Sequence, residues 1–121
     1  MKKMLTKAEE QVMQVLWQTG RSGLGNITDA MPSPKPHPNT IATVLKILAE
    51  KGFVKIEAVS RVNIYAPVIS KKKYSDRSMK NIVNNYFNGS FSNAVSFLVE
   101  NKNLSIADLE LLIETLKNRN K

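Results

Sequence analysis

Apolar residues in this chain of 121 residues keep a helical period, switch to alternation, and then return to a helical period. That order constrains the fold more than any single motif, because each period fixes which residues can share one buried face. In LTKAEEQVMQVLWQTG, Leu5, Ala8, Val12, Val15 and Leu16 recur at helical spacing; Thr6 and Glu9 form a capping box and Gly20 supplies a stop. NITDAM predicts a short second helix capped by Asn26, with Ile27, Ala30 and Met31 as its apolar side. Ile41, Val44, Leu45 and Leu48 then fall at i, i+3, i+4 and i+7, which predicts a third helix from Pro38 to Lys51, ended by Gly52.

The period changes in FVKIEAVSRVNIYAPVI, where Val54 and Ile56 alternate with Lys55 and Glu57, and Ile64 and Tyr65 belong to a second β-rich run. AVSRVN makes the turn between them, so the segment reads as a hairpin. Pro67 restricts the second strand to an edge or marks its end. From Lys71 the helical period returns in three further segments. The first carries Met79, Ile82, Val83 and Tyr86 on one face; SNAVSFLVEN follows the Gly89 break; the last begins with Ser105 and Asp108 as a cap pair. In that last helix Ile106, Leu109, Leu112, Ile113 and Leu116 share one side and Leu111 lies on another, which implies two packing partners and hence burial against a second copy. The expected division is a domain over residues 1–72 and a helical dimerisation domain over 73–121.

Charge points to the partner. The net charge is +8, and it is uneven: residues 1–73 hold 12 Lys and Arg against 5 Asp and Glu, whereas residues 74–121 hold 6 against 5. A basic surface of this kind attracts polyanions. There is no cysteine and only one histidine, His37, which excludes disulfides, thiolate metal sites and multi-histidine sites. No cofactor and no small-molecule ligand are implied. No stretch approaches the roughly 18 uninterrupted apolar residues of a spanning helix, and MKKMLTKAEEQ has no apolar segment behind its basic start, so a cytoplasmic, unprocessed protein is expected.

Three helices followed by a hairpin form a winged helix-turn-helix, in which the third helix enters the major groove. The expected fold is thus mostly α with a small β-hairpin wing, followed by a C-terminal helical dimerisation region. At about 100° per residue, Asn39, Thr43, Lys46 and Glu50 cluster opposite the buried stripe of helix three, flanked by Thr40 and Ile47. These are groove-reading residue types with one cation, and Glu50 is tolerated only where it avoids phosphate or meets a cytosine amino group. Any surface helix has a polar face; the order of elements, the charge asymmetry and Arg61 at the hairpin tip together favour DNA. Phosphate contacts are expected from Lys7, Arg61 and a basic linker at Lys71–Lys73, with Asn26 also in the interface and base discrimination from helix three, including Lys46. A protein interaction module built on the same fold is the alternative. An enzyme is not expected, since no acid-base pair is evident.

The segments LTKAEEQVMQVLW, PNTIATVLKILAEKGFV, IYAPVI and GSFSNAVSFLVENKNLSIADLELLIETL together resemble the penicillinase-repressor family of BlaI, MecI and CopY type, over nearly the whole chain and in order. The resemblance implies a homodimeric repressor on dyad operators, released when a membrane-bound sensor-protease triggers cleavage in the C-terminal region. It places recognition contacts on Asn39, Thr40 and Thr43, with Lys46 beside them, while Ala42 and Ile47 stand where some relatives carry arginine. The scissile bond of relatives aligns with Ser96–Phe97, where they have asparagine before the phenylalanine. The dimer region is expected to use Ile82, Tyr86, Phe97, Leu98, Leu109, Leu112, Ile113 and Leu116. Copper sensing, found in one branch of the family, needs cysteine-rich ligands that this chain lacks.

Several residues have plainer roles. Trp17 is expected in the core, His37 at the cap position of helix three, and Met4, Met13, Met31 and Met79 in packing. The alternating prolines 32, 34, 36 and 38 stop helix two, stiffen the connector and preset φ at the start of helix three. They are expected to fix the angle at which helix three meets the groove.

Overall fold

The computed structural model describes residues 4–119. Helix α1 (Lys7–Thr19) starts at a complete capping box: Thr6 Oγ1 accepts from the Glu9 N–H at 3.2 Å, and Glu9 Oε1 accepts from the Thr6 N–H at 2.9 Å. It stops at Gly20, whose φ of 75° suits a residue without Cβ. The buried face comprises Glu9, Val12, Met13, Val15 and Leu16, and Ala8 is exposed, contrary to its assignment to the apolar side. Glu9 can take the inward position because its charge is matched: Lys51 Nζ donates to Glu9 Oε1 at 2.7 Å. A methyl group left in water forgoes little burial energy.

After α1 comes a strand too short for any period to reveal, β1 (Ser22–Gly23), which leads directly into α2 (Leu24–Ala30). Gly23 is therefore the N-cap of α2, and Asn26 lies inside the helix rather than capping it. Past the end of α2, Lys35 Nζ donates to the carbonyls of Asp29 and Met31, giving the helix C-terminus the cation and the donors that its last carbonyls lack. Helix α3 (Pro38–Glu50) has proline at its first position, and His37 Nδ1 accepts from the Asn39 N–H at 3.0 Å, the cap role expected of it. Ile41, Leu45 and Leu48 are buried on one side.

Strands β2 (Val54–Val59) and β3 (Val62–Pro67) form the hairpin, with Val59 opposite Val62. The turn is only Ser60 and Arg61, both at positive φ (49° and 69°), tighter than the six residues AVSRVN. Two such residues match the twist of the flanking strands, which lets the ladder run further towards the tip. The sheet order is β1-β3-β2, so the wing is three-stranded and β3 is central. Pro67 sits at the last position of β3, where its missing N–H interrupts nothing.

Helix α4 (Lys71–Tyr86) begins without a linker: Lys71–Lys73 form its first turn, held by Ser70 Oγ accepting from the Lys73 N–H at 3.1 Å. Tyr74 then explains why this turn is ordered. Its ring lies 5.8 Å from those of both Trp17 and Phe53, and its hydroxyl accepts from the Leu5 N–H at 3.2 Å and donates to Glu10 Oε2 at 3.3 Å. Trp17 packs against the core and donates its indole N–H to the Ile69 carbonyl at 2.8 Å, as a core residue should.

The chain divides into two compact units, Met1–Asp76 and Arg77–Lys121, with the division inside α4. The first is a winged helix-turn-helix closed on a core that includes Leu16, Ile27, Ile41, Leu45, Leu48 and Phe53. The second contains the rest of α4, α5 (Phe91–Glu100) and α6 (Ile106–Arg119). Ser90 Oγ caps α5, and Ser105 and Asp108 cap α6 reciprocally, as expected of that pair. Val83 is buried and Phe87 meets Phe97 at a ring distance of 5.5 Å, but most other apolar side chains here face solvent. Met13 and Met31 are packing residues; Met4 and Met79 are exposed, contrary to expectation.

Candidate nucleic-acid interface

Helix α3 turns its buried stripe towards α1 and α2 and leaves Asn39, Thr40, Thr43 and Lys46 exposed on the other side. The stripe orients the polar row, because burying Ile41, Leu45 and Leu48 permits only one rotation of the helix about its axis. Within the row, Thr43 Oγ1 donates to the Asn39 carbonyl at 2.9 Å, so its hydroxyl offers lone pairs outward. Ala42 is half-buried and Ile47 is exposed, so the two positions where some relatives carry arginine also lie at this surface.

Two clefts flank the wing. One is lined by Gly23, Leu24 and Asn26 at the start of α2 and by Arg61 and Asn63 of the hairpin. It brings together Asn26 and Arg61, which are far apart in sequence. The other is lined by Ala42, Thr43 and Lys46 of α3 and by Ile56, Asn63 and Tyr65 of the sheet. Asn63 and Tyr65 line both clefts, and neither stood out in the sequence as a site residue. Alternation along β3 offered a signal, since residues 63 and 65 project to one face. Lys7, Asn39 and Thr40 are exposed but line neither cleft.

Charge at the surface is partly internal. Arg21 pairs with Glu57 at 3.2 Å with both side chains largely exposed, a pair worth about 0–1 kcal/mol. Lys51 is engaged by Glu9. For the Glu9 carboxyl, burial alone raises the pKa, but the Lys51 hydrogen bond and charge and the Thr6 N–H outweigh it and hold the group below its ordinary value. Lys46 and Arg61 have no ion-pair partner among the described residues, so their charges remain available to a polyanion.

In the second unit, Ile82, Tyr86, Phe97, Leu98, Leu112, Ile113 and Leu116 are exposed, and Leu109 is half-buried. Ser96 and Phe97 lie in the interior of α5, whose backbone bonds are formed on both sides of them. Among the described residues no group of three His, Asp or Glu side chains could hold a metal ion, and no helix is long and apolar enough to cross a membrane.

The sequence pattern of the penicillinase repressor family matches residues 5–118. The methicillin resistance regulatory protein MecI of Staphylococcus aureus (strain N315) is 26% identical over 116 residues, covering 95% of this chain and 94% of its own. The protein of the same name from Mammaliicoccus sciuri is 25% identical over the same extent. A solved structure of the CopR repressor is 26% identical, with a TM-score of 0.47 over 56% of this chain and 100% of the other. The match to the family pattern, from Leu5 to the last turn of α6, covers both units, and the chain belongs to the penicillinase repressor family of DNA-binding transcriptional repressors.

Proposed function

We propose that the protein represses transcription as a homodimer on a dyad operator, with two recognition helices about 34 Å apart, or a multiple of that, on successive major-groove faces. The observation that carries this reading is the exposed row Asn39, Thr40, Thr43 and Lys46 on a helix whose opposite stripe is fully buried. Asn39 and Thr43 discriminate bases, while Lys7, Arg61 and Asn26 hold the backbone. Lys71–Lys73, being helical, present their charges from the first turn of α4 rather than from a flexible tether. The process under its control is antibiotic resistance, a reading supported by the name of MecI, a methicillin resistance regulatory protein. A membrane sensor-protease relieves repression by cleavage at Ser96–Phe97. Because that bond lies inside α5, the helix must open locally before a protease can act.

Selecting duplexes from a random pool with the purified protein tests the reading, since the half-site spacing of the winners also reports the dimer. A pair of inverted half-sites is expected, with Thr43→Ala relaxing the preference at one position per half-site and affinity falling steeply with salt. Recovery of no sequence above background overturns it. Co-expression with a sensor-protease and its inducer is expected to yield a shortened chain; an intact chain rejects the cleavage step alone.

A further inference from the structure

After Pro38, the exposed residues of α3 are Asn39, Thr40, Thr43, Lys46, Ile47 and Glu50, and Ile47 alone among them has no polar side chain. Ile47 is 36% exposed, whereas Ile41, Leu45 and Leu48 on the same helix are almost wholly buried. At about 100° per residue, Ile47 lies about 125° from the centre of that buried stripe, on the outward side of the helix. Thr40, Thr43 and Ile47 follow one another at i, i+3 and i+7, so they share one line of the exposed surface. Polarity falls along this line. Thr43 Oγ1 already gives its proton to the Asn39 carbonyl, and Ile47 is pure hydrocarbon.

A lone isoleucine on a protein surface is ordinary. On a helix that enters a major groove it acquires a consequence. Ile47 lies one turn beyond Thr43, a rise of about 6 Å, which keeps it within about two base pairs of the bases that Thr43 meets. Base edges in the major groove present acceptors and amino donors, and thymine alone adds a methyl group. Hydrocarbon set against an acceptor or an amino group displaces its water and returns no hydrogen bond, which costs free energy. Hydrocarbon set against a methyl group removes apolar surface from water on both sides.

We propose that Ile47 is a specificity-determining residue that selects thymine, through its 5-methyl group, at one base pair of each half-site. The assignment rests on the DNA-binding reading and deepens it, adding an apolar reader to the hydrogen-bonding ones. Ile47 carries no charge, so its contribution is independent of counterion release. The preference belongs to this side chain and does not extend to relatives with arginine at the position.

The test uses a duplex selected by the wild-type protein, in which the thymines of one half-site are replaced singly by deoxyuridine. Deoxyuridine keeps every hydrogen-bonding group of thymine and lacks only the methyl group. For the wild-type protein, one such replacement is expected to weaken binding about fourfold, the scale of one methyl group leaving an apolar contact. Ile47→Ala should bind the thymine and deoxyuridine duplexes equally well, keep the wild-type salt slope, and no longer enrich thymine at that position from a random pool. A wild-type protein indifferent to every deoxyuridine overturns the assignment. So does an Ile47→Ala protein as sensitive as wild type, since the methyl group is then read by another residue. If Ile47→Ala lowers the thermal transition of the first unit, Ile47→Val carries the same comparison, because it removes a single methyl group: a reduced deoxyuridine penalty supports the assignment and an equal one overturns it. Failure of the wild-type protein to bind any duplex overturns the DNA reading itself, whereas binding without a methyl-sensitive thymine overturns only the role of Ile47.

Discussion

The two units treat the same kind of side chain in opposite ways. In the first, Leu, Ile, Val and Phe from three helices and a sheet meet one another, and residues such as Leu16, Ile27, Leu45 and Leu48 have no solvent exposure. In the second, helices with equally regular apolar spacing leave Tyr86 77%, Leu111 68% and Ile113 52% exposed. A helix can be amphipathic in both settings; what differs is whether enough elements surround its apolar face. Three short helices give too few layers, so apolar surface that the first unit buries within itself remains for a partner in the second. That surplus apolar surface is the basis on which a second copy is proposed as the partner.

The largest effect should come from breaking the closed side of this comparison. Phe53→Ala empties a fully buried ring position that also meets Tyr74 edge-on, and should destabilise the first unit by about 3–5 kcal/mol. Denaturant unfolding of the purified variant measures it. A loss below about 1 kcal/mol would mean that the core around α4's first turn is loosely packed.

Charging the open side should act on assembly instead. Leu112→Asp with Leu116→Asp places two carboxylates in the exposed apolar face of α6. Sedimentation is expected to show a monomer, with affinity for a two-site operator falling by about 10²-fold or more towards that for a single half-site. The first unit should keep its thermal transition. A variant that remains dimeric would show that the interface lies elsewhere.

The smallest effect concerns the one buried carboxylate of α1. Glu9→Gln weakens the Lys51 pair and part of the capping box, and should cost about 1–3 kcal/mol. Since the folded Glu9 pKa lies below the ordinary 4.5, the carboxylate adds stability that is fully present above that value. That stability is lost as pH falls from there through the folded pKa. Unfolding curves at pH 7 and at about pH 3 should therefore differ less in Glu9→Gln than in wild type. Equal pH dependence in the two proteins would show that other carboxylates carry the acid transition.

Much of the architecture is legible in the sequence. The Thr6–Glu9 box, the span of α3, the His37 cap, the Ser105–Asp108 pair and the change of period at Val54 all appear as read. Each is a local device, settled by residues within a few positions of one another. The misreadings share the opposite property. β1 has two residues, and only its pairing with Tyr65 and Ile64 makes it a strand. Because that strand ends at Gly23, α2 begins two residues before Asn26. Lys71–Lys73 look like a tether in sequence, but Tyr74, wedged between Trp17 and Phe53, makes them a helical turn.

The interface divides in the same way. The polar row of α3 follows from the period of its buried stripe, so Asn39, Thr43 and Lys46 could be named from spacing alone. Asn63 and Tyr65 could not, because a strand residue acquires its cleft only when the hairpin folds against a helix that lies far from it in the chain. The sequence by itself determined the elements, their order, the exposed face of α3 and the surplus apolar surface of the tail. Only the tertiary structure decided that Glu9 is buried on Lys51, that Tyr74 packs the first turn of α4 against Trp17 and Phe53, and that Asn63 and Tyr65 line a cleft beside α3. Propensity and period act over a few residues, whereas burial, charge pairing and clefts are made by segments that the chain must first bring together.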